Sequence, residues 1–164
     1  MIRGLVLFLG LWLGLCLAVL FGGSIGHLRQ VSDWTGRALP DWTEGIEEGS
    51  GFTRGTARID GARLTWAMSG WSGFDLTLSG ADWRAEGFAR PSGAVLEVSD
   101  LSGIVSLDWL GAGAGAMALQ GGALSVGLDG TMRAAQVEGQ ARGGAVEGPA
   151  RLTWDNGWAL TATP

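Results

Sequence analysis

The sequence is short of the side chains on which most catalysis depends. It has no lysine and no tyrosine, one histidine (His27) and one cysteine (Cys16). Without lysine there is no Gly-x-x-x-x-Gly-Lys phosphate loop. Gly111-Ala112-Gly113-Ala114-Gly115 has the glycine content of one but reads as a flexible turn. A single histidine makes neither a metal site nor a triad, and the downstream serines have no histidine base. His27 reads as a polar residue beside a membrane. A lone cysteine excludes a disulfide within the chain. Leu15 stands before Cys16, where a lipoprotein signal needs a small residue, so Cys16 reads as a small hydrophobe. The carboxylates Glu47-Glu48 lie in a Gly- and Ser-containing stretch and read as solvated. Neither enzymatic activity, a cofactor nor a metal is expected. Clustered basic charge is missing too. Past residue 26, ten of the eleven arginines face sixteen acids, a balance of −6, which argues against a nucleic-acid partner.

What is present begins with a long apolar run. Gly4 to Gly26 carries no charge across 23 residues. As a helix it would reach roughly 34 Å, enough for a bilayer core of about 30 Å. Leu5, Phe8, Trp12, Leu17 and Phe21 are the expected anchor side chains in the lipid bilayer. Arg3 supplies the charged start, and Ser24-Ile25-Gly26 offers a cleavage site, so a cleaved signal is the alternative. The run is longer than a typical signal core and apolar on every face, which favours a retained anchor. Arg3 before the run and His27, Arg29 and Arg37 after it leave the charge rule close to a tie. The very short leading tail favours a cytoplasmic N-terminus and, in a bacterial inner membrane, a periplasmic domain. Gly10-Leu11-Trp12-Leu13-Gly14 is one match to the small-xxx-small contact pattern.

Three segments are expected: 1–26 as tail and anchor, 27–51 as a juxtamembrane connector, and 52–164 as a β-domain. In the connector, Pro40 and the stretch 44–51 break any long helix, and Ser32-Asp33 could cap a short one. Trp34 and Trp42 read either as interfacial or as cover for the domain. From Phe52 the chain breaks into short runs separated by glycine. Phe74, Leu76 and Leu78 alternate with Asp75 and Thr77, the period-2 pattern of a half-buried strand. About eleven such runs with short gaps, among them 94–98, 103–109, 115–119 and 123–128, predict an antiparallel meander. Asp129-Gly130 and Asn156-Gly157 are its sharpest turn signals. Frequent glycine permits bulges and strong curvature. The fold class is therefore all-β: one N-terminal membrane helix, then a Gly-rich curved meander forming a sandwich or an open trough. Trp66, Trp71, Trp83, Trp109, Trp154 and Trp158 are the candidate core or interaction aromatics.

An internal echo accompanies this pattern. Ala62-Arg63-Leu64-Thr65-Trp66 recurs as Ala150-Arg151-Leu152-Thr153-Trp154. Each copy is followed by Gly-Trp (Gly70-Trp71, Gly157-Trp158) and then Leu-Thr (Leu76-Thr77, Leu160-Thr161). A repeated hairpin with a Trp near a tight turn is the reading.

Three stretches carry a family likeness. Gly61 to Trp66 followed by Leu76-Thr77-Leu78-Ser79-Gly80 resembles a Leu-x-Trp strand and its partner. Leu101-Ser102-Gly103-Ile104-Val105 through Trp109-Leu110 resembles a Leu-x-Gly … Trp-Leu segment. Gln120 to Val126, with Val137 to Ala141 and Ala150 to Trp154, resembles later hairpins. The layout so resembles the N component of bacterial type II secretion systems. That likeness implies an assembly role through contacts with other secretion-platform subunits. A wider resemblance is to AsmA-like inner-membrane proteins, which implies a lipid ligand held in an apolar groove.

Overall fold

The computed structural model describes residues 22–36, 45–127 and 131–163. Leu5, Phe8, Trp12, Cys16, Leu17, Phe21, Trp42 and the Asp129-Gly130 turn lie outside them. Among the described residues no helix is long and apolar enough to cross a membrane.

Nine strands follow one another across a single antiparallel sheet, each hydrogen-bonded to the next in sequence. They are β1 (Arg54–Ile59), β2 (Ala62–Ser69), β3 (Gly73–Ser79), β4 (Arg84–Ser92), β5 (Val95–Ser106), β6 (Ala116–Gly127), β7 (Met132–Arg142), β8 (Gly148–Trp154) and β9 (Trp158–Ala162). The meander predicted from the sequence is the fold observed. Its turns use left-handed backbone where the sequence offers it. Asp60 (φ 47°) and Gly61 (φ 82°) join β1 to β2, and Asn156 (φ 56°) lies in the loop between β8 and β9.

The eleven expected runs become nine strands because two pairs of runs are continuous. The run at 94–98 joins residues 103–106 of the next run in β5, and the run at 115–119 joins residues 123–127 of the next in β6. Both junctions are bulges. Gly87 of β4 falls between the Glu86↔Ser102 and Phe88↔Ser99 pairs, so Asp100 and Leu101 oppose it. Asp100 takes φ 53° there. The inward set of β5 therefore runs Leu96, Val98, then Leu101 and Val105, and a period-2 scan loses phase at the odd step. On β6, Gly121 and Gly122 adopt φ 143° and 123°. A Cβ on Gly122 would stand 2.4 Å from the Gln136 carbonyl oxygen, so that site requires glycine.

Register places side chains in rows across the sheet. One row crosses all nine strands: Ala57, Leu64, Leu78, Ala85, Gly103, Leu119, Gly139, Ala150 and Ala162. A second runs from Phe74 through Ala89, Val98, Leu124, Ala135 and Trp154 to Trp158. Both are apolar throughout. Rows on the other face are polar, such as Thr56, Thr65, Thr77, Glu86 and Ser102. One face of the sheet is thus hydrocarbon and the other is wetted, as the alternation demands.

Two helices lying wholly within the described residues flank the sheet. The first, α1 (Ile25–Thr35), starts at Ser24 and ends at Gly36 in the left-handed conformation. Ser32-Asp33, expected as a cap, instead sits in its last turns, because Ser24 and His27 already close the N-terminus. The His27 Nδ1 accepts from the Ser24 N–H at 3.3 Å and lies 2.9 Å from the Ser24 hydroxyl oxygen. Residues 45–51 lie along the outer edge of β1: Ile46 bridges Ala57, and the Glu47 N–H donates to the Thr56 carbonyl. Buried Ser50 brackets Thr56, donating to its carbonyl and accepting from its N–H. α1 is tied to this segment, through Ile25 N–H to the Ser50 carbonyl and Arg29 to the Ile46 carbonyl. The second helix, α2 (Leu107–Leu110), caps the end of β5.

Candidate apolar binding face

The hydrocarbon face is built from three kinds of residue. Alanine and glycine supply narrow positions (Ala85, Gly87, Ala89, Ala135, Gly139). Branched side chains and Met117 supply the middle. Aromatics stand toward the ends of the strands. The buried cluster comprises Ala89, Val98, Leu101, Val105, Leu107, Met117, Val137 and Leu152. Among the described residues, the large side chains that are essentially sealed are Leu107, Met117 and Leu152, at 0%, 0% and 2% exposure. Leu64, Trp66, Phe74, Leu76, Leu96, Leu119, Leu124, Trp154, Trp158 and Leu160 remain half-buried. Among the described residues there is no second sheet. The inward positions contain no charged side chain and no hydroxyl.

Tryptophan finishes the face at its borders. The Trp66 indole lies over Gly55, where a Cβ would stand 2.3 Å from the ring, and its N–H donates to the Gly51 carbonyl at 3.1 Å. Trp83 and Trp109 meet with ring centroids 5.1 Å apart, and the Trp109 N–H donates to the Asp60 carbonyl at 3.1 Å. Trp154 and Trp158 meet edge to face at 5.4 Å. Of the sequence-chosen aromatics, these five lie on or border the apolar face. Trp71 does not: it is 97% exposed in the turn between β2 and β3. Trp34, on α1, is also exposed.

Sequence reasoning missed α2, although its signals are present. Ser106 is its N-cap, accepting from the Trp109 N–H at 3.2 Å, and Gly111 closes it with φ 71°. The helix drops Leu107 onto the core beside Met117, which a four-residue segment cannot advertise by periodicity.

The repeated pentapeptide occupies equivalent places. β2 and β8 both point Ala, Leu and Trp to the apolar face and Arg and Thr to the polar face. The Thr65 hydroxyl donates to the carbonyl of Thr77, directly opposite, and that of Thr153 donates to Ala159, directly opposite. The Ser79 hydroxyl donates to the Arg63 carbonyl and the Thr161 hydroxyl to that of Arg151, again directly opposite. These pairs equate Leu78-Ser79 with Leu160-Thr161. The equation of Leu76-Thr77 with Leu160-Thr161, suggested by order in the sequence, is therefore two residues out of register. The second hairpin is simply shorter, turning directly after Trp154.

The polar face offers little chemistry. Arg63–Glu47 (3.1 Å), Arg84–Glu86 (2.7 Å) and Arg151–Glu138 (2.8 Å) are solvent-exposed ion pairs. A shallow cleft of about 530 Å³ lies beside the two bulges, lined by Phe88, Arg90, Glu97, Asp100 and Gln136. Within it the Ser99 hydroxyl donates to the neighbouring Asp100 carboxylate at 3.1 Å, an exposed contact between adjacent residues. Among the described residues no group of three or more His, Cys, Asp or Glu is placed to hold a metal. The chain matches no known protein family, no curated protein and no solved structure.

Proposed function

We propose that this chain is a non-enzymatic module of a bacterial inner membrane whose sheet holds hydrocarbon, the acyl chain of a lipid, along its apolar face. The observation that supports this reading is the pairing of complete apolarity with incomplete burial. Leu64, Leu76, Leu96, Leu124 and Leu160 line one face and stay partly exposed. Such a contiguous surface on a soluble domain marks a binding site. Small inward residues at Ala85, Gly87, Ala89 and Gly139 draw that face narrower than the polar one, which favours an open trough over a sandwich. The Trp66 and Trp109 N–H groups already have carbonyl partners, and apart from the indole N–H groups of Trp83, Trp154 and Trp158 the inward side chains of the strands carry no polar hydrogen. The face therefore recognises chain and not headgroup, at about 0.8 kcal/mol for each methylene buried. The apolar run Gly4–Gly26 serves as the anchor that keeps the trough beside its ligand source, with the domain periplasmic.

A second reading is an assembly component of a type II secretion platform, acting by protein contact. Its support is the family likeness together with β9, an uncovered strand edge suited to protein pairing. Mass spectrometry of the detergent-purified full chain separates the two. Stoichiometric phospholipid or fatty acid retained by the protein, and lost on Leu124→Glu, supports the trough. Platform subunits retained without lipid overturn it in favour of the second reading.

A further inference from the structure

The two outer edges of the sheet are treated differently. On β1, residues 45–51 cover the edge: Ile46 bridges Ala57 and the Arg58 N–H donates to the Gly45 carbonyl. On β9, among the described residues, nothing pairs beyond the contact with β8. Trp158-Ala159-Leu160-Thr161-Ala162 contains no charge, proline or bulge, the devices that ordinarily blunt an edge.

The ladder tells which groups this edge offers. The Thr163 N–H donates to the Pro149 carbonyl and the Asp155 N–H to the Gly157 carbonyl. Odd-numbered residues 157 to 163 therefore direct their backbone polar groups toward β8. By alternation Trp158, Leu160 and Ala162 direct theirs outward. The internal repeat supports this assignment independently. Leu160 is equivalent to Leu78, and β3 uses its far edge at Leu76, Leu78 and Gly80 to pair with β4: Leu78 faces Ala85, Leu76 faces Gly87, and the Gly80 N–H donates to the Trp83 carbonyl. Among the described residues nothing in the second copy takes the position that β4 fills in the first.

We infer that this edge pairs with the same edge of a second copy, β9 against β9 in antiparallel register centred on Leu160. The strand is complementary to itself about that residue. Leu160 meets Leu160 of the second copy, Trp158 meets Ala162, and Ala159 meets Thr161. Each large inward side chain off the axis thus faces a small one, and no charge opposes another. Trp158, Leu160 and Ala162 are each placed to exchange two backbone hydrogen bonds, and the apolar face runs unbroken into the second copy. The contact is isologous and closes at two chains.

Register gives a sharp test, made on the detergent-solubilised full chain with Cys16→Ser. Ala159→Cys alone and Thr161→Cys alone each place the thiol opposite a residue that is not cysteine. Mixed in equal amounts and oxidised, they place thiols in the close, non-hydrogen-bonded pair, about 4.5 Å between Cα atoms. About half of the dimers in such a mixture contain one chain of each kind and so become disulfide-linked. Neither variant alone gives linked dimer above background. Sedimentation equilibrium of the Cys16→Ser chain shows a dimer that Ala159→Lys with Thr161→Lys converts to monomer, with the strand content unchanged by circular dichroism. A monomer before the lysines are introduced, or equal crosslinking of single and mixed cysteine variants, overturns the inference. So does a dimer that the lysine variant leaves intact.

Discussion

Truncating two leucines of the apolar face distinguishes an open surface from a covered core. Leu152 on β8 is 2% exposed and lies between Val137 and Leu160. Leu152→Ala removes its transfer free energy and leaves a cavity closed to water, at a cost of about 3 kcal/mol. Leu124 on β6 lies in the Phe74–Trp158 row but is only partly buried. Its truncation removes three carbons' worth of burial, about 2.4 kcal/mol if complete and about 1.9 kcal/mol at the partial burial of this side chain. No cavity cost is added where solvent or ligand reaches the site. Urea unfolding, followed by tryptophan fluorescence on the lipid-stripped chain, reads both. With a slope of about 1.5–2 kcal/mol/M, the midpoint falls by roughly 1.5–2 M for Leu152→Ala and by roughly 1–1.3 M for Leu124→Ala. Equal losses at the two positions would refute the reasoning, since they would mean that Leu124 also lies beneath a second layer.

Three further substitutions probe the fold that shapes this face. Gly122→Ala forces a Cβ to 2.4 Å from the Gln136 carbonyl oxygen at φ 123°, and loses about 2–3 kcal/mol in the same urea assay. Trp109→Phe removes the hydrogen bond to Asp60 and part of the Trp83 contact. It costs about 1–2 kcal/mol and blue-shifts or reddens the remaining emission as Trp83 changes surroundings. Trp71→Ala, at a side chain 97% exposed, shifts the unfolding midpoint by no more than about 0.5 kcal/mol equivalent, and a larger loss would place that ring against something.

Much of this fold was legible because alternation is a local property. Phe74-Asp75-Leu76-Thr77-Leu78 declares a strand and its two faces without reference to anything else. The pentapeptide at 62–66 and 150–154 likewise marked two strands that do occupy matching places. What escaped were features set by neighbours. Asp100 and Leu101 fell in a gap between two runs because the bulge opposite Gly87 shifts phase, and only the partner strand shows that β5 continues. Register between β8 and β9 follows from hairpin length. The shared Gly-Trp and Leu-Thr letters therefore suggested an alignment that the Thr153 and Thr161 hydrogen bonds displace by two residues. The candidate site was half visible. The aromatics were named, but not that Trp66, Trp83, Trp109, Trp154 and Trp158 gather on or beside one face while Trp71 points into solvent.

The central claim is that the apolar face holds hydrocarbon, and covalent mapping tests it most directly. The full chain is loaded in native lipid with a fatty acyl phospholipid bearing a diazirine in its chain, irradiated, digested and sequenced by mass spectrometry. The account predicts adducts on Leu64, Leu76, Leu124 or Leu160 and none on Thr65, Thr77, Gln136 or Thr153 of the opposite face. Adducts confined to residues 4–26, with the sheet unlabelled, would contradict it.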